Sequence, residues 1–432
     1  MGLVAKLEER WRNQHLPFLV GDGLELGMAE VLAESSEHLK RIRSGDVVAL
    51  IGDFNARSIS DLLYLFEKNT IVVPLTATTR SDHEYFFESA YVDWVVENGE
   101  VRRRIHNDSH ELIELLRSRG NPGLVLFSTG TTGRPKAILH DFSEFLKRYE
   151  TVRPTFRTIG FLLFDHIGGI NTILHTIFNK GIVIALNDRS VRSVLEVARV
   201  FEAEVLPTTP TFLRMLLMAD VIPEQMPQSV KIVTYGTERM DQHTLTELCR
   251  LLPNVDFRQT FGMSELGILR VKSESRTSLF MKVGGEGVKT RQRDGLLEIY
   301  SPSRMLGYLN AESPFDIEGW YPTLDIVEYQ DAEYFKVVGR ATEVINVGGL
   351  KFLPSEVERV VLTHPSIAFV SVLTRENPIT GQHIELVIEP KDIDSFNLQV
   401  LKTFLRSSLP SHMVPRRITV GKVAVGHRFK RI

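Results

Sequence analysis

A short segment rich in glycine and hydroxyl side chains carries the clearest chemical signal in the sequence. It follows the apolar run of residues 124–127, and its main members are Ser128, Thr129, Thr131 and Thr132, Gly130 and Gly133, and Lys136. Glycines let a backbone turn tightly around an anion, hydroxyls donate hydrogen bonds to it, and a lysine adds a mobile positive charge. The spacing differs from that of a Walker loop, because Pro135 precedes the lysine and Ala137 follows it. We therefore predict a phosphate-binding loop of another type.

A second segment, residues 259–265, combines groups suited to a nucleotide with its metal. The ring of Phe261 can stack on a purine, and the amide of Gln259 can form hydrogen bonds with the amino edge of that base. The carboxylate of Glu265 is a hard oxygen ligand suited to Mg²⁺ on ATP phosphates. Together these residues predict an ATP site.

Six segments occur in the order and at the spacing of the adenylate-forming superfamily, which contains acyl-CoA synthetases, peptide-synthetase adenylation domains and luciferases. They are residues 128–136, 164–170, 234–240, 259–265, 319–325 and 339–358. The sequence resembles a compact member, because the part before residue 124 is shorter than usual. The resemblance implies that a carboxylate attacks the α-phosphorus of MgATP to give acyl-AMP and pyrophosphate, and that a thiol then attacks acyl-AMP.

The resemblance also assigns roles near the substrate and the ribose. His166, not Asp165, takes the catalytic gating position beside the acyl pocket. Asp325 accepts the ribose hydroxyls, and Arg340 contacts ribose and phosphate. Leu324 stands where the family has glycine, so we expect the turn before Asp325 to be made differently.

The remaining roles that the resemblance implies concern the metal, the nucleotide and the thiol substrate. The implied magnesium ligands are Glu265, which is also implied to be catalytic, and Thr132. Gly349 would line the tunnel for the pantetheine arm of coenzyme A. The other implied nucleotide-binding residues are Ser128, Thr129, Gly130, Thr131, Thr132, Gly133, Lys136, Gly236, Thr237, Glu238, Gln259, Phe261, Gly262, Met263 and Ser264.

The end of the chain departs from the family pattern. The family places a Gly-Lys pair there, and its lysine bridges the substrate carboxylate and the α-phosphate. Residues 425–432 lack this pair, and two alignments place either Lys430 or His427 at the lysine position. We favour Lys430 as the catalytic cation, because lysine stays charged at pH 7 whereas histidine is only partly protonated.

The hydrophobic pattern predicts how these segments are positioned. Apolar strand-like runs alternate with helix-length segments between residues 47 and 257, which predicts mostly parallel sheets covered by helices. From about Gly284, short strands alternate with turns and predict a small β-rich region. We therefore predict an α/β protein with an ATP- and acyl-binding domain at residues 1–339, and a small mobile α+β lid at residues 340–432. The hinge would lie at residues 340–342.

Composition limits the classes of partner. The 432 residues have a net charge of −3, which gives no basis for binding nucleic acid. The single cysteine, Cys249, excludes an internal disulfide and a cysteine-based zinc site. No apolar run approaches the roughly 20 residues that span a bilayer, so we expect a cytoplasmic protein.

Two other motifs are incomplete in this sequence, and the acceptor and the acyl group stay open. Residues 285–287 lack the third glycine of a dinucleotide fingerprint, and residues 262–266 lack the second glycine of a nucleophile elbow. Coenzyme A is the favoured thiol acceptor, and the alternative is a carrier protein loaded by a stand-alone adenylation enzyme. A non-catalytic module that binds a nucleotide or an acyl group is an alternative from another class. The acyl group itself stays open among fatty, aromatic and amino acids.

Overall fold

The computed structural model describes residues 2–21, 23–34, 37–105, 108–128 and 133–426. Most of its strands belong to two seven-stranded sheets, a six-stranded antiparallel sheet and a five-stranded terminal sheet. Helices cover the large sheets, so the predicted fold class is confirmed. Residues 129–132 of the predicted phosphate loop and both candidates for the terminal cation, His427 and Lys430, lie outside the described residues.

The first large sheet is buried on both faces. Its strands, in spatial order, are Gly307–Tyr308, Ala137–Asp141, Gly123–Phe127, Ile71–Leu75, Val47–Ile51, Trp94–Glu97 and Glu100–Arg103. The four strands from Gly123–Phe127 to Trp94–Glu97 are parallel, and the outer strands pair antiparallel. Val48 and Leu50 belong to one core cluster and Val47 and Ala49 to another, because successive side chains point to opposite faces.

The second large sheet is parallel except for one terminal hairpin. Its strands, in spatial order, are Asp256–Gln259, Ile232–Tyr235, Val205–Thr208, Arg157–Ile159, Ile182–Ile184, Leu19–Gly21 and Leu24–Leu26. The helix Ile167–Phe178 connects two adjacent parallel strands and therefore runs antiparallel to them. Its carboxyl end lies at the amino edge of the sheet, where the main-chain oxygen of Thr176 accepts from the N–H of Gly181. Its amino end lies at the carboxyl edge, where the predicted nucleotide residues gather.

The helices follow the predicted alternation. The α-helices of the described residues are Leu3–Trp11, Met28–Ala33, Ala56–Glu67, His83–Ser89, Glu111–Arg119, Phe142–Leu146, Ile167–Phe178, Val191–Val200, Pro210–Met218, Gln242–Leu251, Pro354–Leu362 and Leu398–Ser408. Short 3₁₀ turns span Glu37–Arg41, Ala77–Asp82, Lys147–Tyr149, Ala341–Glu343 and Ser411–Met413. Among the described residues, no helix has both the length and the apolar character needed to cross a bilayer.

The antiparallel and terminal sheets meet where we predicted the hinge. The antiparallel sheet contains, in spatial order, Arg270–Ser273, Met281–Gly284, Phe335–Arg340, Tyr321–Tyr329, Leu296–Tyr300 and Lys289–Arg293. The terminal sheet contains Leu350–Phe352, Ile345–Val347, Gly381–Pro390 and Ile367–Asn377, with Arg417–Val420 paired to Gly381–Pro390. A small two-stranded sheet, Gly262–Met263 and Gly267–Ile268, lies between the large and antiparallel sheets in the chain. The chain changes sheet directly after Arg340, and the terminal sheet has its own hydrophobic core.

Candidate active site

A cavity of about 490 Å³ is lined by residues of both large sheets, the helix Ile167–Phe178 and the antiparallel sheet. Many of the residues singled out in the sequence lie on its wall. They are Ser128, Lys136, His166, Thr237, Phe261, Gly262, Met263, Ser264, Glu265 and Arg340. The fold thus brings residues more than 200 positions apart in the chain to one concave site.

Glu265 is held by two tyrosines that the sequence analysis did not identify. The hydroxyl of Tyr308 donates to Oε1 of Glu265 at 2.8 Å, and Glu265 is only 9% exposed. The phenol of Tyr321 lies near both side chains. Burial, together with the negative charge of Glu265, raises the pKa of Tyr308 and that of Tyr321, so both phenols stay protonated donors. The carboxylate is thereby fixed in place before any ligand arrives.

Lys136 and Ser128 lie at the two ends of the predicted phosphate loop. The strands Gly123–Phe127 and Ala137–Asp141 pair antiparallel, so the loop connects their adjacent ends. The N–H of Ser128 donates to the main-chain oxygen of Lys136 at 3.0 Å, and the N–H of Lys136 donates to Oγ of Ser128 at 3.0 Å. The ammonium of Lys136 lies 4.7 Å from the centre of the Tyr308 ring, an arrangement suited to a cation–π contact. Ser128, Lys136, Glu265, Tyr308 and Tyr321 are called the mouth of the cavity below.

Asp325 and Arg340 are neighbours on paired strands, but only Arg340 lies on the cavity wall. Nε of Arg340 donates to Oδ1 of Asp325 at 3.1 Å. Burial raises the pKa of Asp325 even though Arg340 favours its charged form. Leu324 itself adopts a left-handed conformation with φ of 61°, the conformation that glycine adopts without strain. This finding corrects the expectation that the turn would be made differently.

Three other predicted nucleotide residues do not reach the cavity wall. Arg258 lines the cavity, and successive strand residues face opposite ways, so Gln259 points away from the site that we predicted for it. Glu238 accepts from the N–H of Thr211 at 2.6 Å and so binds the first turn of the helix Pro210–Met218. Gly236 is required by packing, because a Cβ there would lie 2.7 Å from the main-chain oxygen of Thr260. The adenine contacts that the resemblance implies for these three residues stay predictions.

The predicted residues Gly133 and Gly349 also lie off the wall. Gly348 and Gly349 form the two-residue loop of the hairpin Ile345–Val347 and Leu350–Phe352, with φ of 61° and 89°. Two successive positive φ values are typical of a type I′ turn, which favours Asn or Gly. A Cβ at Gly349 would meet no atom within 4 Å, so the backbone conformation, and not crowding, limits which residues are tolerated here.

One face of the helix Ile167–Phe178 and one face of the second sheet line the cavity. His166 begins the helix, and its Nδ1 accepts from the N–H of Gly168 at 3.0 Å. His166 lies on the cavity wall, whereas Asp165 does not. At the opposite end of the helix, the cavity is closed by Phe156, Thr158, His175 and Thr176, which are called the floor below.

The sequence analysis missed the polar residues of this helix. Asn171, Thr172, His175 and Thr176 all line the cavity, and they recur at the i, i+4 spacing of one helical face. In a helix that is otherwise apolar, a polar stripe at this spacing was the signal that could have revealed them.

The donor set at the mouth fits a magnesium ion that arrives with a nucleotide. Within the described part of the chain, no three His, Cys, Asp or Glu side chains are grouped to hold a metal, and Glu265 is the only carboxylate on the wall. A single carboxylate suffices for Mg²⁺ when phosphate oxygens and waters complete its octahedral shell. Thr132, the other implied ligand, lies outside the described residues.

Comparisons with known proteins identify relatives of this chain. Curated relatives include 4-coumarate–CoA ligase 2 of Oryza sativa subsp. japonica, which is 24% identical over 66% of this chain and 57% of its own length. The 2-succinylbenzoate–CoA ligase of Bacillus velezensis is 25% identical over 67% of this chain and 63% of its own length. The matched region thus spans less than two thirds of these relatives.

Solved structures share the fold over almost the whole chain. The anthranilate CoA ligase AuaEII, in complex with anthranoyl-AMP, superposes with a TM-score of 0.82 at 15% identity and covers 100% of this chain and 95% of its own. ATP-bound MatB from Rhodopseudomonas palustris superposes with a TM-score of 0.82 at 18% identity and covers 99% and 97% of the two chains.

A model of the family described as AMP-binding enzyme matches residues 39–285, which is more than half of the chain. The matched region contains the mouth residues Ser128, Lys136 and Glu265 and the polar helix face. The protein belongs to the AMP-binding enzyme family.

Proposed function

We propose that this protein activates a carboxylic acid with ATP and then transfers the acyl group to the thiol of coenzyme A. The observation that carries this proposal is the continuity of the cavity: Lys136, Glu265 and Arg340 line the same space as the polar face of the helix Ile167–Phe178. One part offers charges suited to phosphates and a metal, and the other offers room for an acyl group. CoA ligases among the relatives support coenzyme A as the acceptor.

In the proposed first step, a carboxylate oxygen bonds to the α-phosphorus of ATP while the bond from that phosphorus to the pyrophosphate oxygen breaks. Two anions must approach each other, so the cations around them decide the rate. Lys136 would neutralise phosphate charge, and Arg340 would do so near the ribose. Magnesium, when bound, supplies the positive charge that offsets the negative charge of the phosphates. Glu265 would hold that metal in the orientation fixed by Tyr308.

In the proposed second step, the thiolate sulfur bonds to the acyl carbon and the bond from that carbon to the AMP oxygen breaks. The thiol proton is released to solvent, and AMP leaves. We propose that residues 340–432 act as a lid that serves both steps. The change of sheet after Arg340 and the separate core of the terminal sheet support a hinge at residues 340–342.

The decisive test is pyrophosphate exchange with a panel of fatty, aromatic and amino acids. Acid-dependent exchange of labelled pyrophosphate into ATP is expected for at least one acid, since the first step is reversible. ATP binding without exchange for any acid would identify a non-catalytic module and overturn the proposal. Product formation with free coenzyme A, compared with a carrier protein bearing phosphopantetheine, then identifies the acceptor.

The lid proposal is tested by Lys430→Ala beside His427→Ala. If Lys430 bridges carboxylate and phosphate, its removal suppresses pyrophosphate exchange but spares thioester formation from supplied acyl-AMP. The His427 variant should be mild. The reverse ranking would show that the tail is aligned in the other register.

The thiol step is tested at Gly349 with two substitutions. Asn tolerates the left-handed backbone found there, whereas Leu is strained by it. If the pantetheine arm passes this turn, both variants lose thioester product, and Gly349→Asn keeps pyrophosphate exchange and its melting temperature. Full thioester formation by Gly349→Asn would exclude this residue from the thiol path.

A further inference from the structure

The floor of the cavity is more polar than a pocket for a hydrocarbon chain requires. Thr158 lies in register with Val205 and Ile232, and all three line the cavity. His175 and Thr176 face the floor from the helix Ile167–Phe178. Some of these polar groups already form hydrogen bonds within the protein, and others do not.

Two of the polar residues on the helix are satisfied internally. The hydroxyl of Thr172 donates to the main-chain oxygen of Gly168 at 2.9 Å, and that of Thr176 donates to the main-chain oxygen of Thr172 at 2.7 Å. These bonds are the usual back-bonding of threonine within a helix. Neither hydroxyl donor is left for a ligand.

The other two polar residues of the helix leave donors available. The buried hydroxyl of Tyr149 donates to Oδ1 of Asn171 at 2.9 Å, which leaves the two Nδ2 hydrogens of Asn171 for the cavity. One helical turn farther on, the ring of His175 forms no hydrogen bond with any described residue. On the sheet side, the hydroxyl of Thr158 likewise has no partner in the described part of the chain.

The charge around the floor excludes a cation. Burial lowers the pKa of His175, and the positive charges of Arg153 and Arg148 lower it further, so the ring is neutral at pH 7. No carboxylate among the described residues lines the floor, so a substrate ammonium would lack a counter-ion there. A second carboxylate would also be buried without a direct ion pair, because neither Arg148 nor Arg153 reaches the wall.

The distance from the mouth sets where the recognised group lies. His175 is nine residues beyond His166, which corresponds to about 13 Å along a helix at 1.5 Å per residue. The helix runs away from the carboxyl edge of the sheet, where Glu265 lies. A group that reaches Thr158 and His175 is therefore at the end of the acid remote from its reacting carboxylate.

We propose that the substrate is an acid with an uncharged hydrogen-bonding group, a hydroxyl or carbonyl, at its far end, where Asn171, His175 and Thr158 bind it. The inference rests on the proposed function for the identity of the site as an acyl pocket. It excludes plain hydrocarbon acids and amino-terminated acids as the preferred substrates.

The test uses acids that share one skeleton and differ only at the far end. The series is octanoate, 8-hydroxyoctanoate, 8-aminooctanoate and octanedioate, with 3-phenylpropanoate and 3-(4-hydroxyphenyl)propanoate as a ring-containing pair. Calorimetry measures the Kd of each acid in the presence of an ATP analogue with a methylene group between the α- and β-phosphates, with which no acyl-AMP can form. Pyrophosphate release from ATP gives kcat/KM. In at least one skeleton, the hydroxylated acid is expected to be preferred over its hydrocarbon by about tenfold or more, because unpaired polar groups in the site penalise the hydrocarbon.

Two variants and a matched control test the named residues. Thr158→Val and His175→Leu remove polar groups without leaving a protein partner unpaired, so each is expected to fold and to reduce the preference at least about fivefold. Thr176→Val removes a hydroxyl from the same floor that is already bonded to the helix, and it should leave the preference ratio within about twofold.

The outcomes separate this inference from the proposed function. Preferential binding of the hydroxylated acid without pyrophosphate release supports the inference and contradicts the proposed function. Pyrophosphate release with hydrocarbon acids favoured in both skeletons supports the function and overturns the inference. Preference for 8-aminooctanoate or octanedioate, or an equal effect of Thr176→Val and Thr158→Val, also overturns it.

Discussion

The mouth and the floor of the cavity treat their polar groups in opposite ways. At the mouth, the carboxylate of Glu265 already accepts from Tyr308, and Lys136 lies over the ring of the same tyrosine. At the floor, His175 and the hydroxyl of Thr158 have no partners among the described residues. The protein thus fixes the mouth internally, whereas the groups of the floor are left for a ligand.

This difference matches the chemistry that each end would perform. Groups that stabilise developing charge contribute most when they need no rearrangement, so a mouth held by its own hydrogen bonds is suited to catalysis. Groups that select a substrate contribute most when only the right ligand satisfies them. Changes at the mouth should therefore affect rate, and changes at the floor should affect preference among acids.

The largest effect at the mouth is expected for Glu265→Gln. The amide keeps the shape and an oxygen acceptor for Tyr308 but loses the charge that Mg²⁺ requires, so pyrophosphate release should fall by about 100-fold or more. The melting temperature should change by no more than about 2 °C, since the packing is retained. Magnesium-dependent turnover near the parental rate would contradict the role of Glu265. It would also contradict the expectation that changes at the mouth affect the rate.

Tyr308→Phe tests whether the mouth is positioned by its own hydrogen bonds. The ring under Lys136 is kept, and only the hydroxyl that donates to Glu265 at 2.8 Å is lost. Removing a residue that orients a metal ligand typically costs about 10- to 100-fold in metal affinity or activity. We expect a loss in that range together with a higher Mg²⁺ concentration for half-maximal activity.

Tyr64→Phe is the matched control for this tyrosine. Its hydroxyl donates to the main-chain oxygen of Leu32, away from the cavity, so its loss should not change the Mg²⁺ dependence. If both variants show the parental Mg²⁺ requirement, Tyr308 is only a packing residue.

The sequence predicted the strands better than it predicted which side chains contact each other. Val47–Ile51 and its neighbouring strands were predictable because each is a continuous apolar run, as a strand buried on both faces requires. The mouth was predictable only in part, since Glu265 bonds to Tyr308 across 43 positions of the chain. That contact depends on the register of sheets that no local pattern specifies.

Some predicted site residues lie off the cavity wall for local physical reasons. Gln259 has the right chemistry for a purine, but the alternation of its strand points it away from the cavity that Arg258 faces. Glu238 binds a helix amino terminus, which any nearby carboxylate can do. Conversely, the polar stripe of Asn171 and His175 was visible at helical spacing, although its meaning depends on which face of the helix meets the cavity.

Lys136→Ala should have a smaller effect than the changes around Glu265. The lysine is one exposed cation at the end of a loop whose backbone contacts with Ser128 remain in the variant. Loss of a single charge-assisted contact to phosphate corresponds to roughly tenfold weaker binding of ATP. The measurement is the KM for ATP, with Lys147→Ala as a control at an exposed lysine that pairs with Glu144. An unchanged KM and rate would show that this loop does not hold phosphate.

The smallest expected effect concerns backbone strain on the mouth side of the cavity wall. Thr237 and Leu324 line the cavity with φ of 70° and 61°, a conformation that costs a side-chain-bearing residue about 1–2 kcal/mol. Replacement by glycine relieves this strain but increases the entropy of the unfolded chain, so each variant should gain at most about 1 kcal/mol in free energy of unfolding. Thr237→Gly should gain more than Leu324→Gly, because it also removes a buried hydroxyl that has no hydrogen-bond partner among the described residues.

Urea denaturation measures these gains, and pyrophosphate release measured on the same samples shows whether the strain serves catalysis. A rise in stability with a fall in rate would show that this part of the wall keeps its conformation at a cost in stability. Lower stability of both variants would show that packing of the two side chains offsets the free-energy cost of their left-handed conformation.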